Sequence, residues 1–479
     1  MKIDLKKIND YQWIIPQAGS MRVPGVIFSS HALNQDIEKD QSLQQVANVA
    51  CLPGIVNCSL AMPDIHWGYG FPIGGVAAFD MSEGIISPGG VGYDINCGCR
   101  LATTLLKAED IRPRMRELVQ TLFNHIPTGV GSRGSVFLNQ KEIAKVAVQG
   151  ARWAVQNGFG QMEDLEKTED HGVMEEADPS VLSQRAITRG LDQLGTLGSG
   201  NHFIEIQVVD RIYDPHKARL FHLFEGQVVI FIHSGSRGFG YQICDDFLKE
   251  MGKISAQQNI QLPDRQLACA YLKSEAGRRY FSAMACAANY AWANRQILMH
   301  LTYETILTAL QLTPRELGMQ LLYDVSHNIA KKETHMVEGK SVQLCVHRKG
   351  ATRSLPPGHP KVPKMYQQAG QPVLIPGDMG TYSFILAGSP GALEKSFGST
   401  CHGAGRVLSR SQAVKIARGR AINRELEDQG IYVQSRGVKT LKEEIPEAYK
   451  DVSQVVEVVQ EADLAKKVAR LKPLGVIKG

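Results

Sequence analysis

No stretch of this 479-residue chain approaches the ~18 consecutive apolar residues a membrane helix needs; the run at residues 228–232 is typical of its longest. The opening MKIDLKKINDYQWIIP carries three lysines but no apolar core behind them, so it does not read as a signal peptide. A soluble, cytoplasmic protein is the expectation. Cysteines number nine, an odd count in a long chain without a leader, which argues against a disulfide framework. Repeats, low-complexity tracts and linkers are missing. The charge is nearly balanced: 53 Lys+Arg against 48 Asp+Glu leaves +5, which announces no nucleic-acid partner and leaves room for a local basic patch. With 43% hydrophobic and 21% charged residues, the composition is globular, and disorder and coiled coil are excluded.

What the chain does have is glycine, 46 of 479 residues against a usual ~7%, in short clusters without a period. Apolar runs punctuated by Gly and Pro predict strands at 25–28, 74–79 and 101–106. Helical spacing covers 107–125 and 140–157. Residues 159–180 are acidic and polar, read as a surface excursion. Strands are expected at 203–209, 227–233, 321–325 and 342–346, with 228–232 fully buried. Between 265 and 310 lies one long helix or a helical pair. Residues 350–380 are too rich in Pro and Gly for an ordinary core, and 406–428 and 441–470 read as helices. The expected class is α+β, one large interwoven mixed α/β domain spanning 1–479.

Four clusters carry donor atoms: GYDINCGCR at 92–100, GTLGSGNHFIE at 195–205, IHSGSRG at 232–238 and DVSHN at 324–328. In the last three a histidine sits at or beside the end of a strand-like run, where loops build sites. Asp94, Cys97, His202, His233 and His327 together make a plausible two-metal set. Thiolate and imidazole suit Zn or Mn, and a carboxylate suits Mn or Mg. Five side chains for two ions suggest a bridging thiolate and positions open to substrate. Each histidine alone could equally be a hydrogen-bonded structural residue, and Cys97 alone a buried inert thiol.

A fifth cluster, STCHGAGR at 399–406, holds His402 between small residues before a helix expected to begin near Arg406. A helix N-terminus with a nearby arginine suits a phosphate, and a neutral imidazole is a competent nucleophile toward phosphorus. The turn PGDMGT at 376–381 offers backbone N–H groups to an anion. The apolar terminal PLGVIKG, carrying Lys478, suggests an end folded back into the structure.

These blocks, with MPDIHWGYG at 62–70, HRKGATR at 347–353 and PPGHP at 356–360, resemble the RtcB-type RNA ligases over nearly the whole chain. The resemblance implies an RtcB-like fold whose deep cleft carries a dinuclear metal site. It implies joining of an RNA 2′,3′-cyclic phosphate or 3′-phosphate end to a 5′-hydroxyl end, in tRNA splicing or RNA repair, with GTP and two Mn²⁺. On that pattern a histidine takes GMP from GTP and passes it to the RNA 3′-phosphate, and the 5′-hydroxyl then displaces GMP. By position the nucleophile is His402, oriented by Asp64. One ion falls to Cys97, His202 and His233, the other to Asp94, Cys97 and His327. Asn201 is the nucleotide-phosphate contact, and Glu205, Tyr449 and Lys478 form the guanine pocket. Ala404 and Gly405 line the ribose and phosphate, Arg406 adds a cation, and Arg189, Arg237 and Arg410 are candidates for the RNA backbone. Asp378 departs from the family's more usual Ser; when ionised it cannot donate to phosphate but accepts from the guanine N–H edge. The protein-splicing element inserted in some relatives is absent. A monomer is expected, with archease a candidate activator. Two other readings use the same donor set: a dinuclear phosphoesterase, and an RNA-binding scaffold with a closed structural metal site.

Overall fold

The computed structural model describes residues 3–479, in which runs of strands and runs of helices are interleaved. Two large sheets organise the chain. A seven-stranded sheet runs in the order Lys6–Asn9, Gln12–Ile15, Gly25–Phe28, Ile55–His66, Ile73–Asp80, Lys340–Lys349, Asn328–Val337. An eight-stranded sheet runs Gln320–Ser326, Gly98–Lys107, Gln227–Ser234, Phe203–Ile212, Ala465–Lys478, Ser383–Gly388, Pro372–Ile375, with Tyr432–Ser435 added in parallel to Ala465–Lys478. The expected mixed α/β architecture is what is observed. The apolar run 228–232 lies at the middle of the second sheet and is fully buried, as a strand covered on both faces must be.

The Glu275–Leu310 helix is 36 residues long, about 54 Å at 1.5 Å per residue. Ser274 caps it, its hydroxyl accepting the Gly277 N–H at 3.1 Å, and Gln311 ends it in the left-handed conformation. Alanines along its length let the Gln140–Gln149, Ala151–Gln156 and Arg237–Gln257 helices approach closely. Among the described residues no helix is long and apolar enough to cross a membrane. All nine cysteines are unpaired.

Several sequence expectations are corrected. The 107–125 helix breaks at Pro113 into Ala108–Ile111 and Met115–His125, and 140–157 breaks at Gly150. Residues 406–428 hold two short helices, Arg410–Ile416 and Ile422–Asp428. In 441–470, helices give way after Asp463 to the long Ala465–Lys478 strand, whose alternating Lys and apolar residues fit a sheet better than a helix. The acidic 159–180 segment is not merely surface: Glu169 is buried, and Lys331 bridges Glu169 at 2.6 Å and Asp170 at 2.5 Å. Residues 350–380 contribute two buried strands, Ala351–Arg353 and Pro372–Ile375.

His347 lies in the buried end of the Lys340–Lys349 strand, 5.9 Å from the Phe71 ring and 5.1 Å from Phe79 between centroids. The Ser87 N–H donates to its Nε2 at 3.3 Å. Burial lowers its pKa to about 4, whereas the unfolded chain takes up that proton near 6.5. Between those values the unfolded state binds more protons, so stability is intact above about 6.5 and is lost as pH falls toward 4. We expect about 3 kcal/mol from this residue over that window, seen as an acid-side drop in urea midpoint of metal-free protein that His347→Gln flattens.

Candidate active site

Strand register brings the metal-type donors together. Cys99 pairs with His233, His233 with Phe203, and Val325 with Cys99, so the ends of four adjacent strands lie side by side. Cys97, His202, His233 and His327 sit at those ends, and Asp94 three residues before Cys97. Glycine allows the close approach: a Cβ on Gly235 would stand 2.3 Å from the Asp94 carboxylate.

Cys97 Sγ is 3.2 Å from His233 Nε2 and 3.3 Å from His202 Nε2. His233 Nε2 and His327 Nε2 are 3.2 Å apart, and His202 Nε2 lies 2.8 Å from Asp94 Oδ2. The donor atoms form two triplets sharing Cys97: Cys97, His233, His327 and Asp94, Cys97, His202. Asp94 and His202 crowd one side of the Cys97 thiol and His233 and His327 the other, with His202 and His233 almost equally near the sulfur, so the five expected donors converge around one shared thiol. Which histidine reaches which side depends on strand order, which spacing along the chain does not reveal.

The electrostatics suit cations. His202 Nδ1 donates to the Leu197 carbonyl at 3.0 Å, which turns Nε2 toward Asp94 Oδ2 at 2.8 Å. Burial holds His233 and His327 far below the usual imidazole range, leaving both neutral, with their Nε2 atoms facing each other. Burial opposes charge on Asp94, but His202 and then Arg237 outweigh it and its pKa falls to about 2. Burial and the neighbouring Asp94 push the Cys97 thiol up. Imidazole, carboxylate and thiol donors converging on one point are a set that a divalent ion satisfies, the thiol giving up its proton when the ion binds.

His402 follows the Ser399–Cys401 strand, which pairs with Ala351–Arg353. Asp64 comes from the seven-stranded sheet and is fully buried. Its Oδ2 accepts from His402 Nδ1 at 2.6 Å and from the His402 backbone N–H at 3.1 Å. The proton is therefore on Nδ1, and Nε2 carries the free lone pair. The ring centroid of His402 is 4.8 Å from that of His327, so nucleophile-type and metal-type groups are neighbours. Gly350, at φ +63°, leaves room for the ring; a Cβ there would stand 3.1 Å from His402 Cε1. The expected helix start beside His402 is corrected: that helix begins at Arg410, capped by Ser409.

A cavity of about 400 Å³ joins these groups to Asn201, Glu205, Asp378, Ala404, Gly405, Arg406, Tyr449 and Lys478. The terminal strand delivers Lys478 opposite Phe203, with Val476 opposite Glu205. Burial raises Glu205 to about 8, so its carboxyl is mostly neutral at pH 7 and can donate as well as accept. Burial also lowers the Lys478 pKa, against the pull of Glu444 and Glu205. Asp378 accepts the Gly380 N–H at 2.8 Å and the Thr381 hydroxyl at 2.6 Å, which occupies the turn expected to offer donors to an anion. Arg406 is likewise engaged: it pairs with Glu444 at 3.1 Å and lies 5.0 Å from the Tyr449 ring centroid, while Tyr449 donates to Glu444. It fixes the Tyr449 ring rather than standing free for phosphate.

The three other arginines differ. Arg410 is exposed at the cavity edge, 3.9 and 3.7 Å from Glu443 and Glu444. Arg237 is half-buried, its Nε donating to Thr196 at 3.0 Å. Arg189 is exposed and lies 5.5 Å from the Tyr241 ring centroid, and Tyr241 stacks on Tyr93 at 4.9 Å. Sequence reasoning gave no role to several cavity residues. His66, whose Nδ1 donates to the Asp64 carbonyl at 2.9 Å, was legible only as part of the MPDIHWGYG block. Lys349, donating to the carbonyls of Phe71 and Gly89 at 3.0 Å each, is legible only within the HRKGATR block, and Glu444 carries no local signal.

A buttressed histidine, a shared-thiolate donor set and a nucleotide-sized cavity define a class of protein built for chemistry at phosphorus. A family model described as tRNA-splicing ligase RtcB matches residues 45–479. A tRNA-splicing ligase RtcB of Thermococcus kodakarensis is 51% identical over 100% of this chain and 99% of its own length. Its namesakes from Archaeoglobus fulgidus (52%, covering 99% of each chain) and Methanococcus maripaludis (49%, covering 100% of each) are similarly close. The chain belongs to the RtcB family.

Proposed function

We propose that this protein is a GTP-dependent RNA ligase that joins 2′,3′-cyclic-phosphate or 3′-phosphate ends to 5′-hydroxyl ends through a guanylylated His402. The observation that carries the reading is the 2.6 Å contact from Asp64 Oδ2 to His402 Nδ1, beside the donor set and inside the cavity. The relatives' name supports tRNA fragments as the RNA. The protein acts in the cytoplasm as a monomeric catalytic domain, with archease as an activator.

His402 Nε2 attacks the α-phosphorus of GTP. The P–N bond forms, the bond from that phosphorus to the bridging oxygen breaks, and pyrophosphate leaves with the bond electrons. Asp64 holds the Nδ1 proton and stabilises the positive charge that develops on the ring. Guanine lies against Tyr449, with Glu205, Asp378 and Lys478 at its polar edge; a neutral Glu205 both donates and accepts there. Asn201, Ala404 and Gly405 face the ribose and phosphates. An oxygen of the RNA 3′-phosphate, the ring of a cyclic end having first been opened by water, then displaces His402 from phosphorus. The 5′-hydroxyl attacks the activated end, losing its proton, and GMP departs. Arg189, Arg237 and Arg410 hold the RNA backbone, so RNA binding weakens with salt.

The two triplets fit two Mn²⁺ ions, Asp94 supplying a hard oxygen and Cys97 the shared soft ligand. When bound, the ions supply positive charge that offsets the charge of the phosphates. The test is covalent transfer: wild-type protein incubated with α-labelled GTP and Mn²⁺ retains label through denaturing gels, and His402→Ala does not. A phosphoesterase with the same donor set would retain none.

A further inference from the structure

The loop bearing Cys97, the strand end bearing His233 and the strand leading to His327 converge on one side chain that none of the roles above uses. Arg295 lies in the middle of the Glu275–Leu310 helix and is fully buried. Its Nη1 donates to the Asn96 carbonyl at 2.6 Å and to the Ser234 carbonyl at 3.1 Å. Its Nε and Nη2 fork onto the Asp324 carboxylate at 2.9 and 2.8 Å. Asn96 immediately precedes Cys97, Ser234 immediately follows His233, and Asp324 stands three residues before His327.

The local backbone shows why this fork matters. Asn96 has φ +53°, a left-handed conformation that a non-glycine residue keeps only when its surroundings hold it. Arg295 Nη2 also donates to the Asn96 side chain at 3.3 Å, and Asn96 Nδ2 donates to the Ala288 carbonyl on the same helix at 2.7 Å. On the other side of Cys97, Gly98 is flush against the guanidinium: a Cβ there would stand 2.9 Å from Arg295 Cζ. The backbone on both flanks of the shared thiol is thus fitted to this one group.

We propose that Arg295 is the positioning residue for the donor set, setting Cys97, His233 and His327 at metal-binding spacing. A planar fork with several fixed donors performs this; an ammonium of similar charge satisfies Asp324 but cannot span both carbonyls. The proposal rests on the two triplets being metal sites, not on the guanylyl-transfer step.

The test is Co²⁺ titration of metal-free protein, read by visible absorption and the thiolate-to-cobalt charge-transfer band, with thermal unfolding in parallel. Wild type is expected to take up two ions with a strong charge-transfer band. Arg295→Lys should bind roughly 10–100-fold more weakly with a weakened band, as loss of a group that orients ligands does. Asn289→Ser serves as the destabilised control. Asn289 is buried on the same helix but ties the Ala147 carbonyl and Met174 N–H, far from the ligands in sequence and bonding. It should lose stability and keep cobalt affinity. Wild-type affinity and spectrum in a folded Arg295→Lys would overturn the proposal. So would weakening that follows stability equally in Arg295→Lys and Asn289→Ser, because the role would then be folding alone. Should Arg295→Lys fail to fold, Arg295→Gln is read by the same criteria. Cobalt binding by a wild type that takes up no label from GTP would sink the ligase reading and leave this one standing.

Discussion

Cys97→Ala is expected to empty both metal positions at once and to cut His402 guanylylation by roughly 10³-fold or more. The thiol is the one group common to both triplets, 3.2 Å from His233 Nε2 and 3.3 Å from His202 Nε2. Without it, each side keeps two donors. Charge stabilisation by bound ions amounts to several kcal/mol at a reacting phosphate, and each ~1.4 kcal/mol is a factor of ten in rate. His202→Ala, by contrast, strips only the triplet containing Asp94. Bound Mn²⁺ per chain, measured after gel filtration, separates the cases: near zero for Cys97→Ala, and about one for His202→Ala. Full occupancy in Cys97→Ala would mean the thiol is a bystander.

Asp64→Asn is expected to slow guanylylation by roughly 10²–10⁴-fold at saturating GTP, by analogy with a carboxylate that orients a catalytic imidazole. The Asp64 carboxylate hydrogen-bonds to none of the metal-type donors or guanine-pocket side chains; its partners are the His402 ring and backbone. An amide of the same shape can still accept from Nδ1, but it carries no charge to offset the cation forming on the ring. The loss should therefore fall on the rate of label uptake and not on the GTP concentration for half-maximal rate. An effect confined to that concentration would place Asp64 in binding instead.

Much of this site was legible in the sequence because its groups lie at strand ends, and strand ends follow from where apolar runs stop. His202, His233 and His327 each border such a run, and Asp94 and Cys97 sit in a glycine loop before one. Their convergence on one point is not carried by spacing alone: it depends on the order of Gly98–Lys107, Gln227–Ser234 and Phe203–Ile212 in the sheet, a long-range property. Residues 465–470, which open the Ala465–Lys478 strand, fit a helical pattern as well, because their lysines satisfy either period over short windows. Arg406 looked free for phosphate because its partner Glu444 is 38 residues away and buried. Arg295 was hidden for the same reason: within a helix of Ala, Asn and Gln it has no periodic signal, and its partners come from three other segments.

Covalent attachment of GMP to His402 is tested most directly by locating the residue that carries it. Protein incubated with α-labelled GTP and Mn²⁺ would be digested under mildly alkaline conditions and the labelled peptide sequenced by mass spectrometry. An acid-labile GMP is expected on the peptide containing His402, released on adding RNA with a 3′-phosphate end and absent from His402→Ala. Label on another residue, or none on folded, Mn²⁺-loaded protein, would contradict it.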